Sequence, residues 1–105
     1  MAYGMRGDVL SYALNNRVFA CGHQAVTIAG GGGNAGNIQV DVSGLKKTTD
    51  TILITIDLNG QSISLNAPPY ILTITDNSHF VVDGNLWENP GGSAVTMFLN
   101  WAVLR

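Results

Sequence analysis

The chain has 105 residues, of which 46% are hydrophobic and only 11% are charged. This balance excludes an intrinsically disordered segment, which has few apolar residues and much charge, and the length fits one compact domain. The formal net charge of -2 is too weak and has the wrong sign for binding a phosphate backbone, so nucleic acid is not an expected partner.

Residues 1–16 predict an N-terminal arm or a short helix before the main domain. One helical face of this segment carries four apolar side chains, Val9, Leu10, Ala13 and Leu14. Asp8 is placed to cap the first turn of the helix. The tripeptide Arg6-Gly7-Asp8 matches the integrin-binding motif, but a capping role for Asp8 is the simpler interpretation. The segment carries no continuous apolar stretch, so we expect no secretory signal and synthesis in the cytoplasm.

From residue 17 onward the pattern is that of short strands. We predict strands at 18–20 and 24–29 with a bulge or turn at Gly22, followed by a flexible loop at 30–36. The loop matches the dinucleotide pattern G-x-G-x-x-G, which requires a helix after the glycines. Residues 37–42 instead alternate as a strand with Ile38, Val40 and Val42 on one side, so no nucleotide or other cofactor is expected.

A hairpin is the clearest local prediction. Residues 51–58 alternate and are followed by Asn59-Gly60, which is the strongest short hairpin signal. A type I′ turn there pairs Ile56 with Ile63 and Ile54 with Leu65, which brings the apolar side chains of both strands to one face.

The region after the hairpin predicts two further short strands. Pro68-Pro69 ends the hairpin, and residues 70–75 begin a strand that places Leu72 and Ile74 on the same face. A return strand is predicted at 79–82, ended by a turn at Asp83-Gly84.

The last segment, 93–105, is apolar in both phases of a strand. Val95, Met97, Leu99, Trp101 and Val103 line one face, and Phe98, Ala102 and Leu104 make the other face apolar too. A helix is the alternative interpretation, since apolar residues are dense at every phase. The β-branched and aromatic content favours a strand that is covered on both sides.

The sum of these elements predicts an all-β fold of seven or eight short strands. We expect an antiparallel β-sandwich or a small barrel, jelly-roll-like, over residues 17–105 as a single domain, with a short helix in residues 1–16. Neither a transmembrane helix nor membrane association is expected, because no apolar run approaches the roughly 20 residues required.

No catalytic or metal-binding constellation is predicted. Cys21 and His23 lie one residue apart and share a strand face, but two ligands do not complete a structural zinc site. A nucleophilic pair of Cys21 and His79 would need the fold to bring distant segments together. We expect a free thiol, structural histidines and no enzymatic activity.

A ligand loop around Trp87 is a second hypothesis. Asp83 and Asn85 provide polar acceptors next to the aromatic ring of Trp87, and this combination is typical of carbohydrate binding. A glycan is therefore an alternative ligand class.

The surplus of apolar residues predicts association with further copies of the chain. Sparse charge does little to discourage contact between subunits, and a strand that is apolar on both faces needs a second covering layer. We expect a homo-oligomer, either a dimer or a trimer, with an interface at Phe98, Trp101, Ala102 and Leu104.

Residues 17–105 combine a single cysteine, little charge and many Gly, Asn and Thr residues. In this composition the chain resembles bacteriophage structural proteins such as capsid decoration (cement) proteins and tail or fibre modules. The resemblance implies a non-enzymatic virion protein, made in the host cytoplasm, that acts through contacts with its own copies and with other virion proteins. It assigns no role to any single residue.

Overall fold

The computed structural model describes residues 17–105, and these form a β-sandwich of two antiparallel sheets. The predicted helix or arm over residues 1–16 lies outside the described residues. The strands in chain order are β1 Val18–Ile28, β2 Gly33–Asp41, β3 Thr51–Asp57, β4 Ser64–Leu65, β5 Ile71–Thr75, β6 His79–Asn89 and β7 Val95–Leu104.

Each sheet is organised around one long central strand. Sheet I has the order β1-β7-β3, and in sheet II the central strand β6 pairs with β2 on one side and with β4 and β5 on the other. The predicted all-β sandwich is confirmed, and the two separate sheets decide it against a barrel. Within residues 17–105, no helix is long and apolar enough to cross a membrane.

The core lies between the two sheets and is formed by alternate strand residues. The predicted inward face of β2 is confirmed, since Ile38, Val40 and Val42 are all buried. Full burial of one such side chain contributes about 1.5–3 kcal/mol. The largest side chains with almost no exposure are Trp87, Phe80, Ile28, Leu45, Met97 and Leu99.

The last segment is a strand, as its β-branched and aromatic content predicts. β7 pairs with β1 along one edge and with β3 along the other. Met97, Leu99 and Val103 point into the core and are fully buried. The dense apolar pattern therefore reflects a central position in the sheet rather than a helix.

The predicted hairpin at Asn59-Gly60 is wrong, although its turn forms. Both residues have positive φ, 55° and 71°, and Gln61 N–H donates to the Leu58 carbonyl at 2.9 Å. Beyond the turn, however, β3 pairs with β7 in sheet I and β4 pairs with β6 in sheet II. The chain therefore crosses from sheet I to sheet II after the turn. Ile54 and Ile56 of β3 pack against the core, as does Ile63 just before β4, whereas both residues of β4 are exposed.

The predicted interruption at Gly22 is also wrong. β1 runs continuously through this residue, and its register irregularity lies between Val18 and Ala20. A Cβ atom at Gly22 would lie 2.5 Å from the Trp101 ring, so glycine leaves room for that ring on the strand. The glycine marks a close packing contact rather than a turn.

Two further predicted loops belong to strands. β2 begins at Gly33, so the flexible loop is shorter than the predicted 30–36. β6 continues through Asp83-Gly84, where a turn was expected. A Cβ atom at buried Gly84 would lie 2.8 Å from the Ala35 side chain, so this glycine permits close approach of neighbouring strands.

β5 differs from its predicted face assignment. The pairing of β5 with β6 shifts between Ile71 and Thr73, so that Leu72 is bypassed. Ile71 and Ile74 therefore pack against the core, and Leu72 is exposed. One extra residue in a strand reverses the alternation beyond it, which a strict period of two does not anticipate.

Candidate interaction surfaces

The outward side of sheet I presents an almost uncharged surface, which we call the outer face of sheet I. It consists of Cys21, His23, Ala25 and Thr27 of β1, Leu53, Thr55 and Asp57 of β3, and Thr96, Phe98, Asn100 and Ala102 of β7. Asp57, at the end of β3, is the acidic member of this set, and the set contains neither lysine nor arginine.

The centre of this face is ordered by contacts of His23. Its ring stacks on that of Phe98, with a centroid distance of 4.3 Å and an interplanar angle of 21°. Its Nδ1 lies 2.5 Å from Oδ1 of Asn100, the residue opposite it in the register. These two contacts hold the side chains of Phe98 and Asn100 in place on the central strand β7.

An apolar depression lies beside this pair. Leu53, Thr55, Asn100, Trp101 and Ala102 line a shallow depression of about 280 Å³. Leu53 is 50% exposed, which is high for a leucine on a regular strand. The depression is large enough for one apolar side chain of another molecule.

The predicted interface residues divide between the two sides of β7. Phe98 and Ala102 lie on the outer face of sheet I, next to Ala25 and Cys21 of β1. Trp101 instead packs against the core, where its ring meets Phe80 edge-on at a centroid distance of 5.8 Å. Leu104 is only 6% exposed and offers no free surface, so the predicted interface is wrong at Leu104, and Trp101 is partly buried with its ring towards the core.

The cysteine and the histidines are not brought together. Cys21 is a free, exposed cysteine on β1 of sheet I. His79 begins β6 in sheet II, where its ring nitrogens meet Ser78 Oγ at 2.7 Å and Thr75 Oγ1 at 3.4 Å. Within residues 17–105, no group of three or more His, Cys, Asp or Glu side chains is placed to hold a metal ion.

The predicted ligand loop around Trp87 is wrong in its central residue. Trp87 lies inside β6, is fully buried, and donates its Nε1–H to the carbonyl of Ala67 at 3.0 Å. The indole therefore belongs to the core and offers no platform for a sugar. Asp83 and Asn85 remain on the surface.

Asp83 and Asn85 form a polar network with two residues that the sequence did not single out. Tyr70 donates its hydroxyl to Asp83 Oδ2 at 2.5 Å. The amide Nδ2 of Asn85 donates to Asp83 Oδ1 and to Asn37 Oδ1, both at 2.7 Å. Tyr70 is 49% exposed, so an aromatic ring does stand beside the polar acceptors.

The network shifts the acidity of two of its members in opposite directions. The hydrogen bond from Tyr70, followed by those from Asn85, lowers the pKa of Asp83. The same bond and the charge of Asp83 raise the pKa of Tyr70. The network therefore holds Asp83 as a carboxylate and Tyr70 as a phenol at neutral pH.

Comparison of the chain with protein-family models, curated proteins and solved structures gives no match.

Sequence patterns located some of these surface residues and missed others. Phe98 and Ala102 follow from the second apolar phase of β7. Tyr70 and Asn37 were missed because the contacts of Tyr70 with Asp83 and of Asn37 with Asn85 depend on the pairing of β2, β5 and β6, which local patterns do not specify.

Proposed function

We propose that this protein is a non-enzymatic assembly module of a virion, either a capsid decoration protein or a tail or fibre module. It acts through contacts between subunits, and the outer face of sheet I is the surface that makes them. The observation that carries the proposal is the composition of this face, where Leu53 and Phe98 stand among small, uncharged side chains.

The physical reason is that burying such a face against another subunit costs little desolvation free energy. Burying lysine or glutamate side chains in a contact loses their hydration, whereas Ala, Thr, Leu and Phe gain from leaving water. The centres of protein interfaces are also depleted in charged residues. Extended contact with neighbouring subunits is therefore the function that suits this face best.

Analytical ultracentrifugation over a wide concentration range tests the proposal. We expect a discrete oligomer, and the variant Phe98→Lys should weaken its association at least about tenfold by placing a charge in the contact. The matched control is Leu86→Lys, because Leu86 is also an exposed apolar residue but belongs to sheet II. A strictly monomeric wild-type protein at high concentration contradicts the proposal.

The virion assignment has its own test. Genes that encode capsid or tail proteins should lie beside the gene for this chain. A neighbourhood without such genes would leave the association surface but remove the virion setting.

Carbohydrate binding is the second candidate, and the Tyr70 network favours it. An exposed tyrosine ring next to the Asp83 carboxylate and the Asn85 amide combines an apolar platform with hydrogen-bonding groups, as sugar sites do. A glycan array should then give hits that Tyr70→Ala removes and that Phe19→Ala, at an exposed aromatic residue of β1, retains. An array without hits removes this candidate.

A further inference from the structure

From Ala20 to Ile28, beyond the register shift at its start, β1 is an edge strand without the features that usually protect such strands. It has 11 residues, Val18–Ile28, and contains no proline, lysine, arginine or acidic residue. From Ala20 to Ile28 it pairs with β7 in unbroken register. Natural edge strands are usually short or carry charges, prolines or bulges that block further pairing.

The free side of β1 presents a row of backbone hydrogen-bonding groups. β1 has β7 on one side, and on the other side no strand of residues 17–105 pairs with it. Alternate residues of a strand direct their N–H and C=O groups away from the paired neighbour. These groups can form backbone hydrogen bonds with the edge of another extended strand.

Two other edge strands of the sandwich, β2 and β3, are better protected. In β2, the carbonyl of Gln39 accepts a hydrogen bond from Gln24 Nε2 at 3.0 Å, the register shifts between Asn34 and Gly36, and the strand ends at the charged Asp41. β3 has only 7 residues and ends at Asp57. Among these three edges, β1 is the longest and the least charged.

We propose that a second copy of the chain pairs its own β1 antiparallel with this edge, across a twofold axis. The pairing joins the two copies of the 3-stranded sheet I into one continuous sheet. The inference rests on the proposed assembly function and adds a contact at the edge of β1 to the contacts of the outer face of sheet I.

A second copy fits this edge for two reasons. A twofold contact between identical strands satisfies both free edges in one closed interface, so the association stops at the dimer. The outward side chains of β1 are Cys21, His23, Ala25 and Thr27. None of them is an Asp, Glu, Lys or Arg side chain, so antiparallel pairing of two such rows brings no pair of like carboxylates, ammonium groups or guanidinium groups opposite each other.

Hydrogen exchange as a function of protein concentration provides the main test. Alternate amides of β1 should exchange at least about tenfold more slowly at high concentration than at low concentration, because they become paired across the dimer. The amides of the β3 edge serve as the internal control and should not change. Protection of β1 at every concentration would mean that another part of the same chain covers the edge, and it would overturn the proposal.

A pair of lysine variants, one in each sheet, locates the contact independently. Ala25→Lys places a charge on β1 and should weaken dimerisation at least about tenfold. Thr73→Lys places the same charge on an exposed position of β5 in sheet II and should leave the dissociation constant within about twofold. Equal unfolding midpoints of both variants confirm that neither effect comes from loss of the fold.

The outcomes separate this inference from the proposed function. An oligomer that protects β3 amides, or that is weakened by Thr73→Lys and not by Ala25→Lys, overturns the β1 contact and keeps the assembly function. A protein that stays monomeric overturns both.

Discussion

The side-chain amide of Asn89 donates a hydrogen bond to the backbone carbonyl of Ile28 at 3.1 Å, although the two residues are 61 positions apart in the chain. The same Nδ2 donates to the carbonyl of Ser93 at 2.8 Å, and Oδ1 accepts from Gly91 N–H at 3.0 Å. Ile28 ends β1 and Asn89 ends β6, so a single buried amide links two of the corners at which the chain passes between the sheets.

Asn89→Asp should destabilise the protein strongly. Asn89 is only 1% exposed. The change replaces its amide nitrogen, which donates to two backbone carbonyls, by a carboxylate oxygen that can only accept, and it keeps the shape of the side chain. We expect a loss of about 3 kcal/mol in the free energy of unfolding, measured by urea denaturation at neutral pH. The control Asn66→Asp, at an exposed asparagine, should change it by less than about 0.5 kcal/mol. A loss below about 1 kcal/mol for Asn89→Asp would contradict this role.

Gly22→Ala should also destabilise the sandwich. The new Cβ atom would lie 2.5 Å and 2.6 Å from two carbons of the Trp101 ring, so the ring or the strand must shift. Overpacking of this kind costs about 1–3 kcal/mol in unfolding free energy. Gly92→Ala is the matched control, because no atom lies within 4 Å of a Cβ built at Gly92. Equal stability of the two variants would show that the ring adapts without cost.

Stability should decrease at acidic pH, in part through Asp50. Desolvation alone would raise the pKa of Asp50, but its bonds to Arg105 Nε at 3.0 Å and to Lys46 N–H at 2.8 Å hold it below its ordinary value of 3.8. The unfolded chain then binds more protons than the folded chain in this range. The contribution of Asp50 is therefore complete above about pH 4–5 and disappears as the pH falls through the lower, folded-state pKa.

Urea midpoints between pH 2.5 and 6 measure this dependence. The variant Asp50→Asn should give a shallower dependence on pH than the wild type, although Asp83, whose pKa is also lowered, still contributes. Parallel curves for the two proteins would show that Asp50 has no part in the acid transition.

Trp87→Phe should weaken the core. The variant loses the hydrogen bond from Nε1 to the Ala67 carbonyl and leaves space where a fully buried indole stood. We expect the free energy of unfolding to fall by about 2–4 kcal/mol in urea or thermal unfolding. Leu86→Ala, at the exposed neighbouring position, should change it by less than about 0.5 kcal/mol. If both substitutions were harmless, Trp87 would not be a core residue.

The candidate surfaces were only partly predictable from the sequence. The exposed, apolar position of Phe98 follows from its phase in β7, which is a local property. The opposite orientation of Trp101 also follows from that phase, yet its exposure depends on sheet II, whose Phe80 covers it. The site of Asp83 and Asn85 gained Tyr70 and lost Trp87 once the pairing of β6 was known.

The amino-acid sequence by itself determined which segments are extended and which faces of them are apolar. The alternation of Ile38, Val40 and Val42 and the left-handed turn at Asn59-Gly60 both appear as local patterns require. Only the tertiary structure decided the partner of each strand, so that β3 joins β7 instead of the strand after its turn. The physical reason is that backbone hydrogen bonds are the same for every strand, whereas the choice among partners depends on how two distant apolar faces together close one core.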